Sequence, residues 1–206
     1  MSDPTRIAIL DAAEAAFKLE TYNQVSVSAI ATDAHASVGA IYHHFGDKGG
    51  LRSAVNERVM ARLVDGHLRP PFETDASPIE RLTASSVAYV KFFEEHTDDF
   101  ILLSAMQHDP RESEHAQRFS RGTLRHITSI LGRAIEIVRE AQEAGEIRRG
   151  NPGSMVVLVW SSLYGMCALA GKYPGPVLGA TGQTSLTSLA VGLLDAAVRP
   201  EPGDPA

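Results

Sequence analysis

The sequence predicts an all-α protein in which a small three-helix head precedes a helical bundle, with about nine helices in total. Apolar residues recur at helical spacing through most of the 206 residues, and capping residues stand where these runs begin. No segment has the alternation that is typical of strands. We expect a head at residues 1–50, a body at 51–199 and a disordered tail at 200–206.

The head begins with an amphipathic helix and continues with two short ones. A proline follows Asp3 at the first helical position, and apolar residues then recur as far as Phe17. Ser26 caps a short helix, Ser37 caps another, and Gly46 stands where a left-handed residue would end it. Two short helices with a tight turn between them predict a helix-turn-helix, whose second helix fits the major groove of DNA.

The body consists of longer helices. Residues 47–69 form a helix that we expect to be the sole connection between head and body, and Ser77 begins a capping box that opens the next helix. A long helix is predicted from about 112 to 145. The weakly charged segments 153–173 and 183–198 are apolar on more than one side, so we expect a second copy of the chain to cover them.

Composition restricts location and partners. The net charge of -6 argues against coating nucleic acid by bulk positive charge, although a local face can still bind DNA. The N-terminus has no signal-peptide pattern, which predicts a cytoplasmic protein. The uncharged stretch 153–171 approaches the length of a membrane span, but serines and Gly165 interrupt it, so we expect a buried helix and no membrane partner. Cys167 is predicted to be a buried, inert thiol.

The segment from Arg6 to Leu51 resembles the head of the TetR family of transcription regulators. The matching positions are Ile9-Leu10, Ala12-Ala13, Phe17, Ser26-Val27, Ile30-Ala31, Ala34, Gly39-Ala40-Ile41-Tyr42, His44-Phe45, Lys48 and Leu51. The resemblance implies a homodimeric, ligand-responsive regulator, usually a repressor, that binds a palindromic operator. The family usually has glycine where Thr21 and His35 stand, and Gly49-Gly50 is a further departure that is expected to weaken its helix.

The resemblance also assigns roles in DNA binding. Phosphate contacts are implied for Tyr42, His44 and Lys48, and the residues nearest base edges would be Ser37, Val38, Ala40 and His43. Ser26 and Ser28 are further phosphate candidates. The alternative interpretation is that Tyr42 is a half-buried core aromatic and that His43-His44 form a solvated helix end. Because the head has few basic residues, we expect modest and salt-sensitive affinity.

For the body, the resemblance implies a layout but no ligand. Large side chains at helical spacing give the candidate lining of a pocket: Tyr89, Phe92, Phe93, Met106, Phe119, His126, Trp160 and Tyr164. They favour a largely apolar or aromatic small molecule, although ordinary core packing explains any one of them. The candidate dimer interface combines small residues with leucines: Ser161, Gly165, Ala168, Leu186, Leu189, Leu193 and Leu194.

Other classes of function find little support in the sequence. We find no paired catalytic carboxylates, no nucleophile with a base and no metal-ligand spacing, so we expect no enzymatic activity, cofactor or metal. Two alternatives stay open. The chain could be a helical binding module that has lost DNA binding, or a regulator that activates transcription.

Overall fold

The computed structural model describes residues 3–104 and 113–199, and these residues form α-helices without strands. The all-α prediction is confirmed. The helices are α1 Pro4–Leu19, α2 Val27–Asp33, α3 Val38–Phe45, α4 Lys48–Leu63, α5 Pro78–Glu95, α6 Thr97–Ser104, α7 Glu114–Glu143, α8 Pro152–Lys172, α9 Pro174–Thr181 and α10 Leu186–Val198.

The described residues contain one helix more than the nine predicted. The additional helix, α9, lies in the glycine- and proline-rich stretch between the two predicted apolar segments. Proline in the first turn explains this helix, because its fixed backbone angle suits that position and the missing N–H needs no partner there. The predicted helix over 47–69 is also divided. After α4, Val64–Leu68 form a π-helical turn, and Pro70–Glu73 form a 3-10 turn.

The chain divides into two compact units. The first contains Met1–Arg62 and Asp98–His126, and the second contains Leu63–Thr97 and Ile127–Ala206. The chain therefore passes between the units three times, and the expectation of a sole connection through residues 47–69 is wrong. The functional boundary between residues 50 and 51 stays a prediction. The candidate tail 200–206 and Met106 lie outside the described residues.

The first unit has an apolar core built by the helices of the head. Ile9 of α1, Ile30 of α2 and Ile41 of α3 are almost completely buried, as is Leu51 of α4. α1 packs on both α2 and α3. Burial of these side chains fixes the helices of the head against one another, since each contributes about 1.5–3 kcal/mol relative to an exposed position.

A cluster of ion pairs joins α1, α4 and α6 within the first unit. Asp99 of α6 is only 1% exposed and pairs with both Arg62 and Lys18. Glu14 of α1 accepts hydrogen bonds from Lys18 and Arg62, each at 2.9 Å, and from Nε of Arg58, also at 2.9 Å. A buried carboxylate is tolerated when cations and hydrogen bonds surround it, and both acids meet that condition.

The same cluster changes the acidity of Glu14. Burial by itself would raise the pKa of this carboxyl, but hydrogen bonds from Lys18, Arg62 and Arg58 outweigh it and lower the pKa from 4.5 to about 2. Because the folded-state pKa lies below the usual value, the ionised carboxylate stabilises the fold above about pH 4.5. That contribution is lost as the pH falls towards 2.

The second unit is organised around α5. This helix packs against α8 and α10, and against the π and 3-10 turns that precede it. Its predicted capping box is present, since Ser77 and Glu80 each accept a hydrogen bond from the other's backbone N–H. Cys167 of α8 is buried, as predicted, and burial raises the pKa of its thiol to about 12.

α8 is unusually apolar for a helix at a protein surface. Among the described residues, it is the one helix that is long and apolar enough to cross a membrane by length and composition. Only 28% of its most apolar window is buried within the chain. The predicted buried helix is therefore only partly buried within a single chain.

Glu14→Gln is expected to lower the free energy of unfolding by about 2 kcal/mol at pH 7, because hydrogen bonds to a charged carboxylate are lost. At pH 3 the wild-type carboxyl is almost fully protonated in the unfolded chain, so the difference between variant and wild type becomes smaller. Urea unfolding at both pH values measures this. Asp11→Asn is the matched control, since Asp11 also pairs with Arg58 but is 64% exposed. Equal differences at both pH values would contradict the assignment.

Candidate nucleic-acid interface

α2 and α3 form a helix-turn-helix whose caps are the predicted serines. Ser26 Oγ accepts from the N–H of Ala29 at 3.4 Å, and Ser37 Oγ accepts from the N–H of Ala40 at 3.0 Å. A hydroxyl that accepts from its own helix still has a proton to donate. Both caps are exposed and so can donate to an outside acceptor such as a phosphate.

The turn between the two helices passes through His35. Its φ is 50°, and within residues 3–104 and 113–199 it is the one non-glycine residue with a positive φ. The N–H of Ala36 donates to the Ala31 carbonyl at 2.9 Å, which closes the turn. His35 thus adopts the left-handed backbone at the position where the family usually has glycine, and it carries the steric cost of a Cβ in that region.

α3 has an inner and an outer side. Ile41 and Phe45 are buried in the core of the head, whereas Tyr42 is 47% exposed and His43 is exposed. The predicted base-edge residues Val38 and Ala40 are half-buried, while Ser28 on α2 is exposed. Tyr42 therefore lies on the outer side of α3, and the alternative interpretation of it as a half-buried aromatic stays open.

Two of the predicted phosphate ligands have partners inside the first unit. His44 Nε2 lies 3.4 Å from Asp3 Oδ2, at the start of α1. Lys48 Nζ lies 4.6 Å from the centre of the Tyr22 ring, and the guanidinium of Arg52 lies 5.0 Å from the same ring. Sequence reasoning gave no role to Tyr22, although an aromatic before a basic helix start is the signal that would have found this cation–π arrangement.

The glycines around the α3–α4 corner allow α7 to approach it closely. Gly46 has a φ of 80°, and a Cβ on it would lie 2.0 Å from His115 Cγ. A Cβ on Gly50 would lie 2.0 Å from the Phe45 carbonyl oxygen. The predicted weakening of α4 is offset, because Asp47 Oδ1 accepts from the Gly50 N–H at 2.7 Å and caps the helix.

The candidate ligand residues do not form a single cluster. Phe119 and His126 belong to the first unit, where the Phe119 ring lies 6.1 Å from that of Phe45. Phe92 belongs to the second unit, where it contacts His67 and His96 with ring centres 5.1 Å apart in both pairs. The other described candidates belong to α5 and α8 of the second unit: Tyr89, Phe93, Trp160 and Tyr164.

Tyr89 is the centre of this α5–α8 group. Burial raises the pKa of its hydroxyl above the ordinary value, and Cys167 and Tyr164 raise it further, while a hydrogen bond with Trp160 lowers it. Phe93 packs near Gly171 of α8. Tyr89 and Phe93 are buried, whereas Trp160 and Tyr164 are partly exposed, so one end of the group meets solvent.

The candidate dimer residues are also divided. On α8, Ser161 is exposed, and Gly165 and Ala168 are half-buried along the same stripe. On α10, Leu186 and Leu194 are buried inside the second unit, while Leu189 and Leu193 are half-buried. An open groove of about 640 Å³ lies at the start of the α8 stripe and is lined by Asn151, Gly153, Ser154, Val157, Leu158 and Ser161.

The described residues include no cluster of three or more His, Cys, Asp or Glu side chains that could hold a metal ion. The surface around α2 and α3 carries exposed hydroxyls, an exposed aromatic and nearby cations. Such groups position a protein on phosphate and reach base edges in the major groove.

A family model described as bacterial regulatory proteins, tetR family, matches residues 9–55. This range begins within α1 and ends within α4, so it includes the whole helix-turn-helix. Residues 9–55 therefore match the N-terminal domain of that family, and the resemblance inferred from sequence is confirmed. No curated protein sequence matches the chain.

Solved structures have the same fold over nearly the whole chain. SmeT in complex with triclosan is 22% identical, with 98% of this chain and 94% of that chain covered and a TM-score of 0.72. FadR from Bacillus subtilis in complex with stearoyl-CoA is 18% identical, with coverages of 93% and 97% and a TM-score of 0.69. PfmR, a TetR family transcriptional regulator from Thermus thermophilus, is 21% identical, with coverages of 94% and 98% and a TM-score of 0.65. The TetR-type fold is thus shown for head and body together.

His35→Gly is expected to raise the free energy of unfolding by about 1 kcal/mol, because relief of the left-handed strain exceeds the added entropy of the unfolded chain. Urea unfolding monitored by circular dichroism measures the change. His35→Ala keeps the Cβ and is the control, for which no gain is expected. A glycine variant no more stable than the alanine variant would show that the turn carries no strain.

Proposed function

We propose that this protein is a ligand-responsive transcription regulator, and specifically a repressor that binds a palindromic operator as a homodimer. The tetR-family match over the helix-turn-helix supports DNA binding. The observation that carries the proposal is the outward face of α3, where Tyr42 and His43 project from a helix that is anchored by buried Ile41 and Phe45. A cytoplasmic location is part of the same proposal.

The homodimer is supported by the exposed apolar side of α8. Exposed residues recur along this side at helical spacing: Val157, Leu158, Ser161 and Tyr164. Half-buried Ala168 continues the same side one turn further along. An apolar stripe of this length on a surface needs a cover. A second copy supplies one, because a two-fold interface brings the same stripe from each chain together. Val191 of α10, which is also exposed, would widen that interface.

Two-fold symmetry gives the mechanism. A dimer presents two α3 helices to successive major grooves, so the separation of the helices must match the spacing of the half-sites. A ligand that binds better to a DNA-incompetent arrangement shifts the population towards release. α4 and α7 each continue from one unit into the other, so both are candidates to transmit the change.

The ligand is proposed to be a largely apolar or aromatic small molecule. Tyr89, Trp160 and Tyr164 support this, because they combine large rings with hydrogen-bonding groups between α5 and α8. Two of the relatives with this fold are in complexes with small molecules, stearoyl-CoA and triclosan. A binding module without DNA affinity is the competing function.

Tyr42→Ala is expected to weaken operator binding about tenfold, because an exposed side chain on the outward face of α3 is removed, and tenfold corresponds to about 1.4 kcal/mol. The operator is first selected from random duplex DNA with the wild-type protein. Fluorescence anisotropy with the enriched duplex then gives the affinity of each variant.

Tyr173→Ala is the matched control, since Tyr173 is an exposed tyrosine of the second unit. Its affinity is expected to equal that of the wild type. Enrichment of a sequence without two-fold symmetry would overturn the palindromic operator. Failure of the wild type to enrich any sequence would favour the competing function as a binding module.

Leu158→Arg is expected to convert the dimer to a monomer, because a charge would be buried in the apolar stripe without a partner. Sedimentation equilibrium of the wild type should give twice the mass of one chain, and the variant should give the mass of one chain. Leu158 is 51% exposed, so the substitution leaves the core of the chain intact. Leu124→Arg changes a leucine of similar exposure, 57%, on α7 and should leave the dimer intact. A monomeric wild type would refute the proposed interface.

A further inference from the structure

The part of α7 that belongs to the first unit carries a row of exposed arginines. Arg118, Arg121 and Arg125 are spaced three and four residues apart, so they share one face of the helix. We call these three residues the α7 arginine row. Within residues 3–104 and 113–199, Arg125 lies 3.8 Å from Glu57, whereas Arg118 and Arg121 have no acidic partner. The exposed Glu114 begins the same face.

The row begins beside the candidate nucleic-acid interface. The His115 ring covers Gly46 at the end of α3, and its Cβ lies near Gly50 in the first turn of α4. One turn further along α7, Phe119 packs against Phe45. Since α7 rises 1.5 Å per residue, Arg118 lies only about 4.5 Å along the helix axis from His115. Arg118 is therefore next to the corner from which Lys48 extends.

Further cations surround the same corner. The guanidinium of Arg6, from α1, lies 5.4 Å from the centre of the Phe45 ring. The guanidinium of Arg118 lies 5.8 Å from the centre of the Phe119 ring, and the two rings are 6.1 Å apart. Arg118 thus extends a group of cations on α1 and α4 onto α7. Each of these side chains carries a positive charge, which complements the negative charge of a nucleic-acid backbone.

The head by itself has few cations for this purpose. Lys18 is held between Glu14 and Asp99, and Arg58 is held by Glu14 and Asp11. Each phosphate that a protein contacts needs a donor, and lysine and arginine contribute the salt-dependent part of affinity. Exposed arginines on α7, next to the recognition helix, supply the cations that the head lacks.

We infer that Arg118 and Arg121 bind backbone phosphates of the DNA that flanks each half-site, and so extend the DNA-binding surface from the head onto α7. This inference rests on the proposed function as a DNA-binding regulator. Arg125 is not included, because it lies about 15 Å along the helix from His115 and beside Glu57. The contacts are to phosphate, so they add affinity without reading sequence.

The test uses the selected operator as two duplexes, one with extended flanks and one cut back to the half-sites. For the double variant Arg118→Gln with Arg121→Gln, affinity for the long duplex is expected to fall about tenfold. The slope of log affinity against log salt should become shallower by about 0.9 for each phosphate that the variant no longer binds. On the short duplex the variant and the wild type should bind alike.

Two further proteins make the result specific. Arg118→Lys with Arg121→Lys keeps the charges and should retain most of the salt dependence. Arg139→Gln changes an exposed arginine further along α7, in the second unit, and should bind both duplexes as the wild type does. Circular dichroism melting checks that each variant is folded.

The outcomes separate the inference from the proposed function. If the glutamine variant binds the long duplex with wild-type affinity and slope, Arg118 and Arg121 do not contact flanking DNA, while operator binding stands. An equal loss on both duplexes also overturns the inference, because the effect would then not depend on the flanks. If the wild type binds neither duplex, the proposed function itself fails.

Discussion

The buried pairing of Asp99 with Arg62 and Lys18 is the interaction on which the first unit depends. Asp99 belongs to α6, and its two partners belong to α4 and α1, so three helices meet at a single carboxylate. Removing both cations would leave the carboxylate of Asp99 uncompensated in a place that solvent cannot reach. α6 is therefore held to the head by electrostatics, in addition to apolar burial. This explains why residues 98–126 form one compact unit with the first 62 residues.

A second constraint acts at the C-terminal end of α3. Gly46 and Gly50 leave room that any side chain would fill, and the His115 ring occupies part of it. The place where α3 ends and α4 begins is therefore set by α7 as well as by the core of the head. Of the two glycines that make α4 a poorer helix on local grounds, Gly50 is required here, because a Cβ on it would lie 2.0 Å from the Phe45 carbonyl oxygen. Local propensity is overridden by packing at a position that orients Tyr42.

What the sequence could predict was mostly local. Ser26, Ser37 and Ser77 cap helices through groups within a few residues, and the left-handed backbone at His35 follows from the turn itself. Pairings between distant segments were not predictable, because Glu14 has several possible cationic partners and no pattern chooses among them. Aromatic residues at helical spacing look alike in sequence, which is why Phe119 and Tyr89 were grouped although they belong to different units.

The charge balance of the head explains how an acidic chain can present a DNA-binding surface. Two of the six acidic residues in the first 52 positions, Asp11 and Glu14, are paired with Arg58 at short distance. Paired carboxylates contribute little repulsion beyond their partners, since opposite charges at short distance cancel at longer range. The net charge of -6 describes the whole chain, while phosphate contacts at the surface around α3 depend on the cations outside these pairs. Solubility follows from the total charge, and recognition of a phosphate backbone follows from its local arrangement.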